Sequence, residues 1–324
     1  MRVYKCEHYS YFFATQQPKQ GNTEMKPAIT ETIAVIGLGK MGAGMAQNIQ
    51  AAGAELVVFN RTTAKAQPFV QHGARLAETP RDAAASASIV LTSLMDDVSV
   101  REIVTASDGI LASLKRGGIH LCATTVSPEL AAELTELHRQ HGSHFVSGTV
   151  VGRPDVAAAG ELITLLSGDD AAMARCKPVC ESYSAKVVAL GSRPGLANYA
   201  KLSINYFAVS SMELMGQIYA YGDAVGIDRA FYGRLFDSSF SNPILKLYAV
   251  KIRDRAFETG VGFELSGGLK DVKLMAAASE RTSKSFEYAP IIIRKMEQAI
   301  EHGRANNDWS VFTAFPGSEA DSTV

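Results

Sequence analysis

The chain is poor in the features that mark several whole classes of protein. Four cysteines in 324 residues, Cys6, Cys122, Cys176 and Cys180, are too few and too scattered for a disulfide framework. Cys176 and Cys180 stand four apart in a helix-like stretch with no His or further Cys beside them, which argues against a metal site. Long apolar runs are missing as well. The longest stretch without a charged side chain, Met41 to Ala54, has fourteen residues and is interrupted by Gly, Gln and Asn. A membrane helix needs ~20 apolar residues. Neither sign of charge is in excess, with 32 basic against 33 acidic side chains, so composition offers no electrostatic surface for nucleic acid or anionic lipid. What remains is the composition expected of a soluble, cytoplasmic protein. At roughly 100–200 residues per domain the length predicts two domains.

The ends stand apart from the rest. Residues 1–30 are aromatic and then polar, without the apolar core and cleavage site of a signal peptide, and read as an N-terminal extension. Residues 306–324 carry Gly, Pro, Asp and Ser punctuation that predicts a poorly ordered tail. Neither end is expected to carry chemistry.

Between them, short apolar runs (Ile33–Ile36, Leu56–Phe59, Ile89–Leu94, His120–Ala123, His144–Val146) alternate with amphipathic segments such as Met41–Ala52 and Pro128–His141. That alternation predicts an α/β fold, a doubly wound parallel Rossmann sheet built from right-handed crossovers. Glu161–Leu166 and Lys186–Leu190, flanking a helical Asp170–Ser184, extend the sheet, so the first domain spans 31–192. Beyond Pro194 the strand signals stop, and 193–305 reads as an all-helical domain. Gly195 to Gly226 predicts one helix of about 30 residues, ~45 Å long. Apolar residues occupy most of its circumference, so later helices or a second subunit should pack around it.

Gly37-Leu38-Gly39-Lys40-Met41-Gly42 follows the first strand and opens a helix. In that position the first glycine permits a tight turn, the second admits the backbone to a pyrophosphate, and the third allows close helix–sheet packing. The phosphates then lie at a helix N-terminus. The end of the second strand selects the cofactor. An acidic side chain there holds the ribose 2′-hydroxyl of NAD, but this chain has Asn60-Arg61-Thr62. Arg61 suits the 2′-phosphate of NADP(H), which an acid would repel.

In the long helix Asn198, Lys201 and Asn205 recur at i, i+3 and i+7, a polar stripe on one face of an otherwise apolar element. A buried polar stripe has to be satisfied, by an internal cluster, by solvent or by a ligand. His120 and His144 have no partner at triad or metal spacing and read as structural.

The stretch Ile36 to Gly53, read with these motifs, resembles the β-hydroxyacid dehydrogenase family, which includes 3-hydroxyisobutyrate dehydrogenases and glyoxylate/succinic semialdehyde reductases. Imine reductases are more distant members, and the cofactor domain is of the 6-phosphogluconate dehydrogenase type. The resemblance covers residues 32–300. It implies a Rossmann domain, a helical domain, an active site between them, and a homodimer or homotetramer. Leu94-Met95 is similar to the Leu-Pro loop along the nicotinamide ribose. Thr125 matches the threonine of Ser-Thr-x-x-Pro on the nicotinamide side, and Lys270 in Gly268-Leu-Lys-Asp271 matches a lysine that approaches the cofactor. Lys201 then corresponds to the catalytic lysine of the Lys-x-x-x-Asn motif, with Asn205 orienting it or binding substrate and Asn198 facing the substrate.

The substrate loop departs from the family pattern. Where the family has Ser-Gly-Gly, this chain has Val151-Gly152-Arg153. Either Arg153 clamps an anionic substrate, or it faces the interdomain surface while an apolar substrate meets Val151. Ala197 also stands where a glycine is usual. The expected activity is hydride transfer between NADPH and a small carbonyl or hydroxy compound, with Lys201 as general acid/base. An imine reductase and a non-catalytic dinucleotide sensor are the rivals, and Lys201 disfavours both.

Overall fold

The computed structural model describes residues 29–316, so most of the N-terminal extension and the last eight residues lie outside the described residues. Eight strands form one sheet: β1 (Ile33–Ile36), β2 (Leu56–Phe59), β3 (Arg75–Leu76), β4 (Ile89–Thr92), β5 (Ile119–Cys122), β6 (His144–Val151), β7 (Leu162–Gly168) and β8 (Ser184–Ala189). Their order is β3-β2-β1-β4-β5-β6-β7-β8. The helices of this half are α1 (Lys40–Ala51), α2 (Gln67–Gln71), α3 (Pro80–Ser86), α4 (Asp97–Thr105), α5 (Pro128–His141), α6 (Pro154–Ala158) and α7 (Asp170–Tyr183). β1, β4 and β5 are buried along their whole length because helices cover both faces. Side-chain oxygens of Thr79, Asp96, Ser127 and Asp169 cap α3, α4, α5 and α7.

The sheet is not parallel throughout. β7 runs antiparallel to β6, with Val146 opposite Gly168 and Val151 opposite Ile163. Only residues 152–161 connect the two strands, fewer than the dozen or more a parallel crossover requires. The chain instead makes the short α6 and turns back. Gly44 admits α6 against α1, since a Cβ there would lie 2.8 Å from the Ala158 nitrogen. Asn48 of α1 donates to the Ala157 carbonyl at 3.0 Å.

The second half is helical: α8 (Leu196–Val225), α9 (Arg229–Ser239), α10 (Pro243–Asp254), α11 (Leu265–Glu280) and α12 (Ala289–Glu301). Left-handed Gly195 (φ 78°) and Gly226 (φ 79°) bound α8, which is why it runs unbroken between them. Its first turn is pinned to the sheet. The Ala197 N–H donates to Ser167 Oγ at 3.0 Å, and Thr149 Oγ1 donates to the Ala197 carbonyl at 3.0 Å. Further on it enters a separate core with Met212, Met215, Tyr219, Val272, Met275, Ile292 and Met296. Glu213 and Lys295 pair within this core at 2.6 Å.

One expectation changes here. The segment up to residue 316 is not a loose tail: a 3-10 turn, Trp309–Ala314, buries Trp309 and Phe312 in the helical core. Its Asp and Ser residues serve internal bonds, the wholly buried Asp308 accepting from Ser310 Oγ at 2.7 Å. Within one chain the later helices cover α8 only in part, and Phe207, Leu214, Ile218, Tyr221 and Val225 form an exposed apolar stripe. Among the described residues no helix is long and apolar enough to cross a membrane, and no three His, Cys, Asp or Glu side chains gather as a metal site.

Candidate active site

The carboxyl ends of β1, β4, β5 and β6 meet the helical half, the edge where parallel α/β sheets bind ligands. Gly37 is left-handed (φ 97°), and a Cβ on it would fall 2.2 Å from the Ser93 carbonyl oxygen. A Cβ on Gly42 would fall 1.9 Å from that of Gly37. A Cβ on Gly39 would meet nothing within 4 Å, so that side of the turn is open. α1 has no side-chain cap and no acid in its first turn, unlike α3, α4, α5 and α7. Its free N–H groups and its dipole suit a phosphate, so the residues present fit a dinucleotide.

The other residues of the turn serve different ends. Leu38 is buried, and its N–H donates to Asn60 Oδ1 at 2.9 Å. Met41 packs against the core, and exposed Lys40 pairs with Glu264 across the domains at 3.0 Å. Asn60 also donates to the Thr62 carbonyl at 2.9 Å, so it shapes the turn from which Arg61 and Thr62 reach solvent.

Two loops converge opposite, after β4 and after β5. The Leu94 N–H donates to Thr124 Oγ1 at 2.8 Å, while Met95 is exposed. The next two carbonyls are held from the helical half. Lys270 Nζ donates to Thr125 O at 2.8 Å and Asn198 Nδ2 to Val126 O at 3.1 Å. Lys270, expected to reach for the cofactor, is engaged in joining the two domains. The buried Asn198 Oδ1 has no hydrogen-bond partner, leaving an acceptor for a ligand on the lysine's face of α8.

Asn205 donates to Asp271 Oδ2 at 2.7 Å, and Asp271 pairs with Lys270 at 2.9 Å. Asp271 is buried, and nothing in the pattern of residues marks it beyond its place beside Lys270. A lone carboxylate on α11 shows its importance only when packing sets it against two lysines. The Lys201 side chain is half-buried, and desolvation by the protein around its ammonium lowers its pKa to about 8. Asp271 opposes the shift from beyond ion-pair distance, and Lys270 adds to it.

In the substrate loop Gly152 is left-handed (φ 145°). Val151 lies on the same strand face as Thr149, whose side chain reaches α8. Arg153 turns away to the helical half and donates to the Gly260 carbonyl at 3.0 Å. The structural reading of His120 fits its complete burial, and packing supplies its partners. His120 Nε2 is 2.9 Å from Thr92 Oγ1 and His120 Nδ1 is 3.2 Å from His138 Nε2, a partner eighteen residues on that spacing alone did not reveal.

An uncapped phosphate turn at α1, and a lysine with a lowered pKa on a helix anchored to the same sheet, are the features of a dinucleotide-dependent oxidoreductase. Residues 32–191 match the family model for the NAD-binding domain of 6-phosphogluconate dehydrogenase. The oxidoreductase YfjR of Bacillus subtilis is 37% identical over 278 residues, covering 86% of this chain and 97% of that one. The chain belongs to the β-hydroxyacid dehydrogenase family. It is 27% identical to an NAD-dependent L-serine dehydrogenase of Pseudomonas aeruginosa, covering 86% and 95% of the two chains. In fold it matches a 3-hydroxyisobutyrate dehydrogenase of Salmonella typhimurium (TM-score 0.77, 20% identity, 88% and 99% covered). An imine reductase of Myxococcus stipitatus is similar in fold as well (TM-score 0.59, 23% identity, 88% and 99% covered).

Proposed function

We propose that the chain is a cytoplasmic NADPH-dependent reductase of small carbonyl compounds, and the corresponding dehydrogenase in reverse, with Lys201 as general acid/base. The observation that carries this reading is the desolvated ammonium of Lys201, its pKa lowered to about 8, on the face of α8 shared by Asn198 and Asn205. Residues 31–192 hold the cofactor, and the helices from 193 onward complete the substrate site. Gly37, Gly39 and the first N–H groups of α1 would hold the pyrophosphate, with Asn60, Arg61 and Thr62 at the ribose 2′-phosphate. Leu94, Met95 and Thr125 would border the nicotinamide. The bound cofactor supplies or accepts a hydride.

The chain's own residues do the rest. As a carbonyl carbon gains the hydride, its oxygen becomes an alkoxide that needs a proton. Lys201 Nζ donates that proton in reduction and takes it back in oxidation. A pKa near neutrality leaves both forms accessible. Asn205 and Asp271 hold the charge around the lysine, and Asn198 Oδ1 is placed to accept from a substrate hydroxyl or amide. The exposed stripe of α8 supports a homodimer, with a second copy of the chain as its cover.

The test is an NADPH- and NADH-oxidation screen across aldehydes, keto acids and cyclic imines, with Lys201→Ala in parallel. Carbonyl turnover that Lys201→Ala abolishes is the expected result. Turnover confined to imines moves the chain to the imine reductases, and wild-type kcat in Lys201→Ala removes the lysine from the chemistry. Absence of turnover with tight NADPH binding makes it a sensor.

A further inference from the structure

Arg153 begins the segment after β6, and its side chain is largely enclosed at 16% exposure. Nη2 donates to the Gly260 carbonyl at 3.0 Å, and Nε lies 3.6 Å from Asp155, a carboxylate that is 75% exposed. Beneath the guanidinium is Gly262, where a Cβ would stand 2.1 Å from the Arg153 Cζ. Only glycine at 262 lets the guanidinium lie there. The loop that receives it is itself fixed from the helical core. Lys251 Nζ donates to the Ala256 and Thr259 carbonyls at 3.1 and 2.7 Å, and the Gly262 N–H donates to Asp308 Oδ2 at 3.3 Å. Two residues past Gly262, Glu264 leads into α11, the helix that carries Lys270 and Asp271. The remaining nitrogen, Nη1, is buried without a partner and sealed from solvent, so this arrangement leaves a substrate carboxylate no path to it.

We propose that Arg153 is an interdomain latch rather than the receptor for a substrate carboxylate, and that the part of the substrate against this loop is uncharged and apolar, meeting Val151. The latch sets the start of α11 against the loop carrying Val151 and Gly152, the two sides between which the Lys201 site is assembled. Its guanidinium shares the space with the Tyr248 phenol, which burial pushes up to about 12 and which therefore stays neutral and offers the guanidinium no counter-charge. The substrate class rests on the oxidoreductase reading above; the latch does not.

The experiment compares the full-length wild type with Arg153→Ala, Arg153→Lys and Gly262→Ala. Each is assayed with NADPH on an α-keto acid and on the matched ketone or aldehyde lacking the carboxylate. Hydrogen exchange of residues 258–266 is measured alongside, and thermal melts establish folding. Wild type should prefer the neutral substrate. Arg153→Ala should lose about 10–100-fold in kcat/KM on both substrates, their ratio constant within about threefold, because a small misplacement at the site costs that much. Gly262→Ala, which retains Arg153 but expels its guanidinium, should reproduce the loss, and Arg153→Lys, still able to donate to Gly260, should restore part of it. Exchange in 258–266 should quicken in both Arg153→Ala and Gly262→Ala. A loss confined to the keto acid, or a wild-type preference for it, overturns the proposal, as do unchanged kinetics and exchange. If wild type reduces no carbonyl, the functional reading fails while the exchange data still decide the latch.

Discussion

Asn205 donates its side-chain amide to the Asp271 carboxylate at 2.7 Å, which binds α8 to α11 one turn beyond Lys201. One buried carboxylate thus faces two ammonium groups, Lys270 in contact and Lys201 at longer range. Asp271→Asn keeps an acceptor for Asn205 but removes the charge that holds up the lysine's pKa. The alkaline limb of carbonyl reduction, read as kcat against pH, should move to lower pH. Asp271→Ala leaves the buried Asn205 amide unpaired and should cost about 1–3 kcal/mol in urea unfolding.

Lys201→Met should lower kcat by about 10²–10⁴-fold with NADPH affinity retained, the range expected for loss of a general acid. It should also stabilise the fold. The native pKa of about 8 lies below the ordinary 10.5, so between those values the unfolded chain binds the extra proton and wild-type stability rises with pH. Below about 8 the full penalty of the buried charge is present. The Tm advantage of Lys201→Met should therefore be largest at neutral pH and disappear above 10.5. A melt series from pH 6 to 11 checks the sign.

Arg61→Ala should weaken NADPH by about 1.5–3 kcal/mol, some 10–100-fold in Kd, because a charge-assisted bond to the 2′-phosphate is lost. NADH binding should not change. Fluorescence titration of both cofactors gives the result, and an equal loss for the two would remove Arg61 from the phosphate.

The buried chain Thr92–His120–His138–Ser143 predicts sensitivity to acid. Burial lowers the His138 pKa to about 3 and that of His120 well below 6.5. Both rings are therefore neutral in the fold and cationic in the unfolded chain at low pH. Their contribution to stability is complete above 6.5 and is lost progressively as pH falls below it, down to about 3 for His138. Each ring should contribute up to about 1.4 kcal/mol per pH unit in that window. A His120→Gln/His138→Gln double variant should flatten the acid limb of a denaturation series.

Local patterns made much of this legible in the sequence. Gly195 and Gly226 delimit α8, Pro128–His141 matches α5, and the glycines of residues 37–42 mark the phosphate turn, because each depends on near neighbours in the chain. The reversal of β7 was harder to read. It follows from the length of a connection and from α6 docking on α1, not from any property of the strand residues. Asp271 and His138 gain their importance from partners on other elements. The Asp and Ser residues near 308–310 carry the same signature whether they face water or cap a buried turn. Arg153 was legible as a departure from the family pattern, but only Gly260 and Gly262 reveal what it holds.

The anchoring of the first turn of α8 has a mechanical consequence. Ser167 and Thr149 grip the helix at Ala197, one turn before Lys201, while its distant half belongs to the helical core. The helix works as an axle clamped at the sheet. If the helical half swings about that clamp, Lys201 stays close to the pivot and keeps its distance from the sheet. Groups at the far end of the helix sweep the larger arc. Asp271, tied to Asn205 one turn past the lysine, would swing with α8 and keep its charge beside the proton donor, while the Lys270 bond to the Thr125 carbonyl is the contact such a swing would have to break.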